Sequence, residues 1–480
     1  MKKTKIIATI GPACKNQKTI EAMAKAGMNV CRLNFSFGTD EEHYEMISTI
    51  RKASKSIGEP IAIMQDLQGP KIRVGKLDAP VTVEKGQEII LSGNTKHKEE
   101  FYLPTTYKEI ASDTKKGKTI LLADGKIILE VLDANAKTKE VHCKVLEAGT
   151  ILTGKGINLP YTNISLPCLT EKDINDAIFG AKAGVDYMSL SFVRKPEDIT
   201  ELKELLKKHG GENIPIVSKI EKPEAVDNID AIIDETDAIM VARGDLADEV
   251  SFAKVPHIQK EIIKKANIKG KPTIVATEML SSMIDNQLPT RAEVSDVANS
   301  VLDGSDLTML SNETAMGKYP VKAVKMMTEI TLEAEASFTP HDYLEELELL
   351  EASSTLEGLC SSVAFLSYDL GNVPIAVFTR TGETPKLLSK FRPETTIFAA
   401  TYKEKIYNKM AFLNNVFPVL LDEKDFKSPE TLQRTIPALG KVLYEKKLIK
   451  KGQLVIIITA EYINGKWSDM NTIKVKTFDN

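Results

Sequence analysis

No stretch of this chain reaches the roughly 20 consecutive apolar residues that a membrane helix requires, so nothing in it reads as a span. The opening MKKTKIIATIGPAC has a basic end and an apolar run, but the run is short and stops at Gly11-Pro12, unlike a secretory leader. Cysteine is sparse and scattered: Cys14, Cys31, Cys143, Cys168 and Cys360 form no CxxC pair and sit near no histidine cluster. A zinc site or a disulfide framework is therefore disfavoured, and the cytoplasm is the expected compartment. Charge of one sign is also lacking. A net charge of -4 over 480 residues gives no bulk attraction to nucleic acid or to a membrane, so any anion site is local. There is no GxxxxGK[ST] sequence, which excludes a P-loop and leaves bound phosphates to side chains and metal.

What the chain does have is the composition of a folded protein, 42% hydrophobic and 27% charged, with no low-complexity tract. Its length implies about three domains. Eight short apolar, β-branched runs alternate with helical patterns: Lys5 to Ile10, Val30 to Asn34, Ile61 to Asp66, Tyr187 to Ser191, Pro215 to Ile220, Ala238 to Ala242, Thr273 to Thr277 and Leu307 to Leu310. This alternation predicts an α/β fold, a (β/α)8 TIM barrel over residues 1–69 and 159–340. The long gap after the third run switches to two-residue alternation with Asp-Gly turns, predicting a small inserted β-barrel lid, antiparallel, over 70–158. An acidic helix from Tyr343 to Ala352 leads to an open α/β domain over 354–480, with strands expected in PIAVFTR, TTIFAAT, FPVLL and QLVIIIT.

In such a barrel the working residues stand after the strand C-termini. There the sequence places Arg32, Asn34 and Ser36; Asp66 and Arg73; Lys219 and Glu221; Arg243 and Asp245; and Thr277. Lys219 and Glu221 are two apart and share one face of an extended strand. They are either a structural ion pair or a phosphate-facing lysine beside a metal carboxylate. In ARGDLADE, Gly244 permits close backbone approach and Asp245 offers a second carboxylate to a metal. If Gly244 and Asp245 open a short helix, their free amides would also attract a carboxylate. The alternative there is an ordinary turn with Asp245 as N-cap. Arg32 and Arg73 read as guanidinium groups from neighbouring strands, a pair suited to phosphate. TRTGET, with Thr379, Thr381 and Thr384, precedes a helical stretch and is either an anion-binding loop or a simple capped turn.

TIGPAC, NVCRLNFSFG, DLQGPKIRV, KGINLP, SLSFVR, SKIEKPEA, ARGDL, ATEML, PTRAEVSDVANSVLDGSD and LSNETA, in that order, resemble the motif series of the pyruvate kinases. The resemblance implies transfer of a phosphoryl group from phosphoenolpyruvate to ADP, with Mg2+ (or Mn2+) on Glu221 and Asp245. Lys219, Arg32 and Arg73 would surround the phosphoryl group, Gly244 and Asp245 would meet the substrate, and Thr277 would stand on the protonation side. Asp124 and Lys155, with Arg73 and Asn34, would meet the nucleotide, although Asp124 also fits a plain hairpin turn and Lys155 a Gly-rich linker. Asn34, Ser36, Asp66 and the Leu67 carbonyl resemble a monovalent-cation site. Lys71 stands where many members carry Glu, which resembles the branch that does not require K+. Phe37, Glu278, Ser281 and Ala247-Asp248 depart from the usual pattern, Phe37 replacing a histidine on the nucleotide side. A sugar-phosphate or nucleotide effector and a homotetramer are further implications. Two rivals remain: a lyase or aldolase on the same barrel, which has no use for Arg32, Arg73 and Lys219, and a non-catalytic relative, against which Lys219 argues.

Overall fold

A computed structural model describes residues 1–337, 352–425, 431–463 and 466–478, apart from Thr95, His97, Glu99 and Asp124. The eight expected runs become eight strands: β1 Lys5–Thr9, β2 Val30–Asn34, β3 Ala62–Asp66, β4 Tyr187–Leu190, β5 Ile216–Ile220, β6 Ala238–Ala242, β7 Thr273–Ala276 and β8 Leu307–Leu310. They are apolar nearly end to end because both faces are covered, by one another inside the ring and by helices outside it. The ring closes with β1 paired to β8, and its neighbouring pairs are parallel. Capping boxes start several of the outer helices, with Thr39 and Glu42, Thr170 and Asp173, and Thr290 and Glu293 exchanging hydrogen bonds.

After β3, Gly69 turns with φ +70° and sends the chain out into the inserted segment. That segment holds a six-stranded sheet in the order Ile157–Asn158, Thr119–Leu122, Ile127–Asn135, Glu140–Glu147, Glu88–Ser92, Tyr102–Pro104. A separate two-stranded ribbon joins Val81–Val83 to Gly149–Ile151. One pairing departs from the antiparallel expectation: Glu88–Ser92 and Tyr102–Pro104 run parallel. The other edge of Glu88–Ser92 is taken by Glu140–Glu147, so the chain loops over before adding at the free edge. The outgoing and returning connections also pair, through Ile157 N to Ile72 O (2.9 Å) and Val74 N to Lys155 O (2.8 Å).

The last sheet runs Val416–Leu420, Ile397–Thr401, Ile375–Phe378, Leu454–Ile463, Lys466–Thr477, the final strand antiparallel. That fifth strand was not among the expected runs. It is an edge strand, and Lys474 and Lys476 on it are exposed, as edges that resist further pairing are. The acidic helix expected over 343–352 lies, except for Ala352, outside the described residues. This sheet's unit packs under the N-terminal ends of the barrel strands. Phe412, fully buried, stacks on Tyr187 of β4 with centroids 4.0 Å apart and joins Ile7, Val30, Ala62, Met64 and Ile274 in the barrel's own interior. Nearby, Arg392 reaches into the barrel floor, its Nη2 3.0 Å from Asp306 Oδ1. Among the described residues no helix is long and apolar enough to cross a membrane.

Candidate active site

At the opposite, C-terminal end of the strands, four charged side chains converge. Lys219 Nζ at the end of β5 donates to Ser191 Oγ at 2.7 Å and lies 3.0 Å from Glu221 Oε1 and 3.5 Å from Asp66 Oδ1. Arg32 on β2 holds the other oxygen of Asp66 through Nε at 2.7 Å and Nη2 at 2.6 Å, and its Nη1 donates to Thr9 Oγ1. Glu221 Oε2 accepts from the Phe192 amide at 2.7 Å. Lys219 and Glu221 therefore do share a face, as their spacing predicted, and the pair is buried among further charges rather than standing alone.

These contacts set the protonation states. Burial alone lowers the Lys219 pKa, but Asp66 and then Glu221 outweigh it and the net shift is upward, so the ammonium stays charged. Asp66 is pushed up by burial and pulled down further by Lys219 and Arg32, ending below the usual carboxylate range. Glu221 goes the other way: burial raises it, and the nearby Asp245 charge adds to the rise against Lys219. Buried Glu221 and half-buried Asp245, in mutual repulsion, form a site that a cation relieves.

Asp245 lies in the helix Arg243–Val250, which begins directly after β6. It is the third residue of that helix, not its N-cap, a position held by Ala242. Burial raises its pKa, but Lys71, with Nζ 2.8 Å from Asp245 Oδ1, and the more distant Lys219 and Lys222 together bring it below the usual carboxylate value. The Gly244 amide is not free as expected, since it donates to Thr277 Oγ1 at 2.8 Å. Thr277 itself lies just past β7, with φ +72° followed by Glu278 at +54°. A β-branched residue in that region is strained, so its place is not that of an ordinary strand residue. Arg243 braces the turn, donating to the Thr277 carbonyl at 2.8 Å and to Asp296 Oδ1 at 2.7 Å.

Several expected residues lie elsewhere. Arg73 is not on a strand beside Arg32, because β3 ends at Asp66 and the chain has already turned at Gly69. It bridges Gly156 in the connection, and its Nη1 donates to the Gly154 carbonyl at 3.0 Å. Lys155 lies on the same returning segment. Lys71 joins Asp245 rather than the group of Asn34, Ser36 and Asp66, since Asp66 already has two cations. Asn34 Oδ1 accepts from the Ser36 amide at 3.1 Å, and the Leu67 carbonyl accepts from Ser191 Oγ at 2.7 Å. Asp124 lies outside the described residues. In the last unit, Thr379 Oγ1 accepts from the Gly382 amide at 2.8 Å and Thr381 Oγ1 from the Glu383 amide at 3.4 Å, while Thr384 is buried. That arrangement caps the turn before the helix Glu383–Lys390. Ser191, Phe192 and Asp296 were missed. Ser191 and Phe192 lie in SLSFVR, but nothing local in that motif singles out a serine that holds a lysine.

Residues 1–324 match the family model "Pyruvate kinase, barrel domain" and residues 357–476 match "Pyruvate kinase, alpha/beta domain". The chain belongs to the pyruvate kinase family. It is 40% identical over 476 residues to the pyruvate kinase of Staphylococcus haemolyticus (strain JCSC1435), covering 99% of this chain and 80% of that one. Identity and coverage are the same with the pyruvate kinase of Bacillus licheniformis. With that of Staphylococcus aureus (strain MRSA252), identity is 41% with the same coverage. This pyruvate kinase is a phosphotransferase that moves the phosphoryl group of phosphoenolpyruvate to ADP, giving pyruvate and ATP in the last step of glycolysis. Pyruvate kinases generally use a divalent metal, and the donor set here fits one. Among the described residues no three His, Cys, Asp or Glu side chains gather as a closed cage. Two acids suit a hard cation that keeps water and substrate oxygens in its remaining positions.

Proposed function

We propose that Lys219 is the centre of the reaction in this pyruvate kinase. The supporting observation is the convergence of Lys219, Glu221, Asp66 and Arg32 within 3.5 Å contacts at the barrel mouth. Phosphoryl transfer needs little covalent help and much fixed positive charge around the equatorial oxygens. Lys219 and Arg32 supply that charge from strands already in place, and Arg73 approaches from the lid connection. The substrate's carboxylate end lies against Gly244 and Asp245. Magnesium (or manganese) held by Glu221 and Asp245 supplies further positive charge to the phosphoryl and enolate oxygens. Thr277 sits on the face where the enolate's methylene carbon takes its proton and passes that proton through water, because a hydroxyl is too weak an acid to give it directly.

Asn34, Arg73, Lys155 and Asp124 form the nucleotide side. Asn34, Ser36, Asp66 and Leu67 mark a monovalent-cation position, and Lys71, held on Asp245 rather than at that position, adds its positive charge to the site from there, so that K+ is dispensable. The catalytic unit is 1–69 with 159–340, the lid 70–158 and the regulatory unit 354–480. A sugar-phosphate or nucleotide effector at Thr379, Thr381 and Thr384, a cytoplasmic homotetramer, and no nucleic-acid or membrane partner complete the reading.

The test is Lys219→Met in a coupled assay of pyruvate release from phosphoenolpyruvate, ADP and Mg2+. Loss of one preorganised charge at the transition state lowers kcat by about 10²- to 10³-fold, with a much smaller change in KM for phosphoenolpyruvate. A KM that rises as much as kcat falls would move Lys219 from chemistry to binding.

A further inference from the structure

Beneath the lid connections lies a buried polar contact that the chemistry above does not use. Lys222, one residue past Glu221, places Nζ 2.7 Å from Glu249 Oε1, and Asn158 Nδ2 donates to the same oxygen at 3.1 Å. The exposures are 6% for Lys222, 1% for Glu249 and 6% for Asn158, so solvent screens none of the three. Glu249 Oε2 has no hydrogen-bond partner among the described residues, and the three side chains line a cavity of about 30 Å³, room for one water. An arrangement of this kind is poor value as a stabilising device, since a buried ion pair seldom outperforms apolar packing. Its strength is in selecting one arrangement of the parts it joins.

Those parts are the lid and the helix that carries Asp245. Asn158 ends the returning strand Ile157–Asn158, whose ladder partner at that position is Leu121, just before the lid's Asp-Gly turn. Glu249 lies four residues after Asp245 on the helix Arg243–Val250, hence on the same side of it. The neighbouring contacts repeat the connection. Tyr161 Oη donates to the Val250 carbonyl at 3.0 Å, and on the outgoing connection Lys71 holds Asp245. A Cβ at Gly125 in the lid turn would stand 3.4 Å from Asp248 Oδ1 on that helix.

We infer that Lys222, Glu249 and Asn158 form a latch that sets the lid against the Asp245 helix, acting as positioning residues for the nucleotide rather than for phosphoenolpyruvate. The second half rests on the reading above that Lys155 and Asp124 meet the nucleotide. The first half is purely geometric. In Asn158→Asp, two carboxylates face each other across the contact with one lysine between them. In the double variant Asn158→Asp with Glu249→Gln, one carboxylate and one amide are restored in exchanged places beside Lys222, with the original total charge.

The experiment measures full-length enzyme in three forms by hydrogen exchange at the Val74 and Ile157 amides and by steady-state kinetics in both substrates. Asn158→Asp is expected to speed hinge exchange and raise KM for ADP about tenfold, the scale of one charge-assisted hydrogen bond. KM for phosphoenolpyruvate stays within about twofold, because Lys219 and Arg32 sit on barrel strands that the latch does not hold. The double variant is expected to recover both readouts. Hinge exchange unaltered in Asn158→Asp, or not recovered in the double variant, overturns the latch. Faster exchange with an unchanged KM for ADP overturns the nucleotide assignment of the lid and the positioning role with it. A parallel rise in both KM values, recovering only with thermal stability, reduces the three residues to a structural contact.

Discussion

Replacing Gly244 by alanine separates a glycine required by the fold from one required by a ligand. Gly244 is the second residue of the helix Arg243–Val250 and does not have positive φ. A methyl group there would meet Thr277 Oγ1 at 3.6 Å and Thr277 Cβ and Cγ2 at 3.7 Å, which is ordinary van der Waals contact. Nothing in the protein itself therefore excludes alanine, and inside a helix alanine is favoured over glycine by up to about 1 kcal/mol. Thermal unfolding of Gly244→Ala should occur at the wild-type temperature or slightly above it. The substrate has less room: with a carboxylate lying against this backbone, the methyl displaces it and weakens its contacts. Loss of about one charge-assisted hydrogen bond, roughly 1.5 to 3 kcal/mol, raises KM for phosphoenolpyruvate between about tenfold and 100-fold. Scanning calorimetry with a coupled assay over a range of phosphoenolpyruvate reads both numbers from one preparation. A lowered unfolding temperature would make the glycine structural. An unchanged KM would remove the substrate from this helix altogether.

Three further outcomes follow from the same geometry. Asp66 has a depressed pKa, so its stabilising contribution is present above the unfolded value of about 3.9 and is lost as pH falls through the lower folded value. The difference in unfolding temperature between wild type and Asp66→Asn should therefore shrink on acidification below about pH 4, and a constant gap from pH 7 to pH 3 would contradict the assignment. Arg392→Met leaves Asp306 buried without its guanidinium partner and should cost about 3 kcal/mol or more, seen in denaturant unfolding of the C-terminal unit. Replacing K+ by Na+ or by tetramethylammonium should leave turnover largely intact. A fall to near nothing would refute the charge-replacement role given to Lys71.

Much of this molecule is legible in the chain because burial on both faces leaves a plain signature. Each barrel strand is a short apolar run, and the expected runs differ from the observed strands by at most one residue at an end, as Ile10, Ile61, Ser191, Pro215 and Thr277 fall just outside. Lys219 and Glu221 were legible for a related reason: alternation along an extended chain fixes which side chains share a face. What escaped depends on contacts between distant segments. Ser191 earns notice only once it is seen under Lys219, and Asp296 only once it is seen against Arg243. Arg73 and Lys71 were misplaced because nothing local reveals how far past Asp66 the chain turns outward. The final strand alternates only over its last residues, where Ile473 and Val475 stand between polar neighbours, and so short a stretch does not distinguish an edge strand from a loop.

Phe412 has a consequence for anyone who divides this enzyme by its two family models. The barrel module ends at residue 324, yet the ring that completes its interior arrives from the other module, against Tyr187. A fragment cut at that boundary would be uncorked at its base, with apolar wall open to water. A minimal barrel piece, or a chimera that exchanges C-terminal halves, would need to bring a matching stopper along.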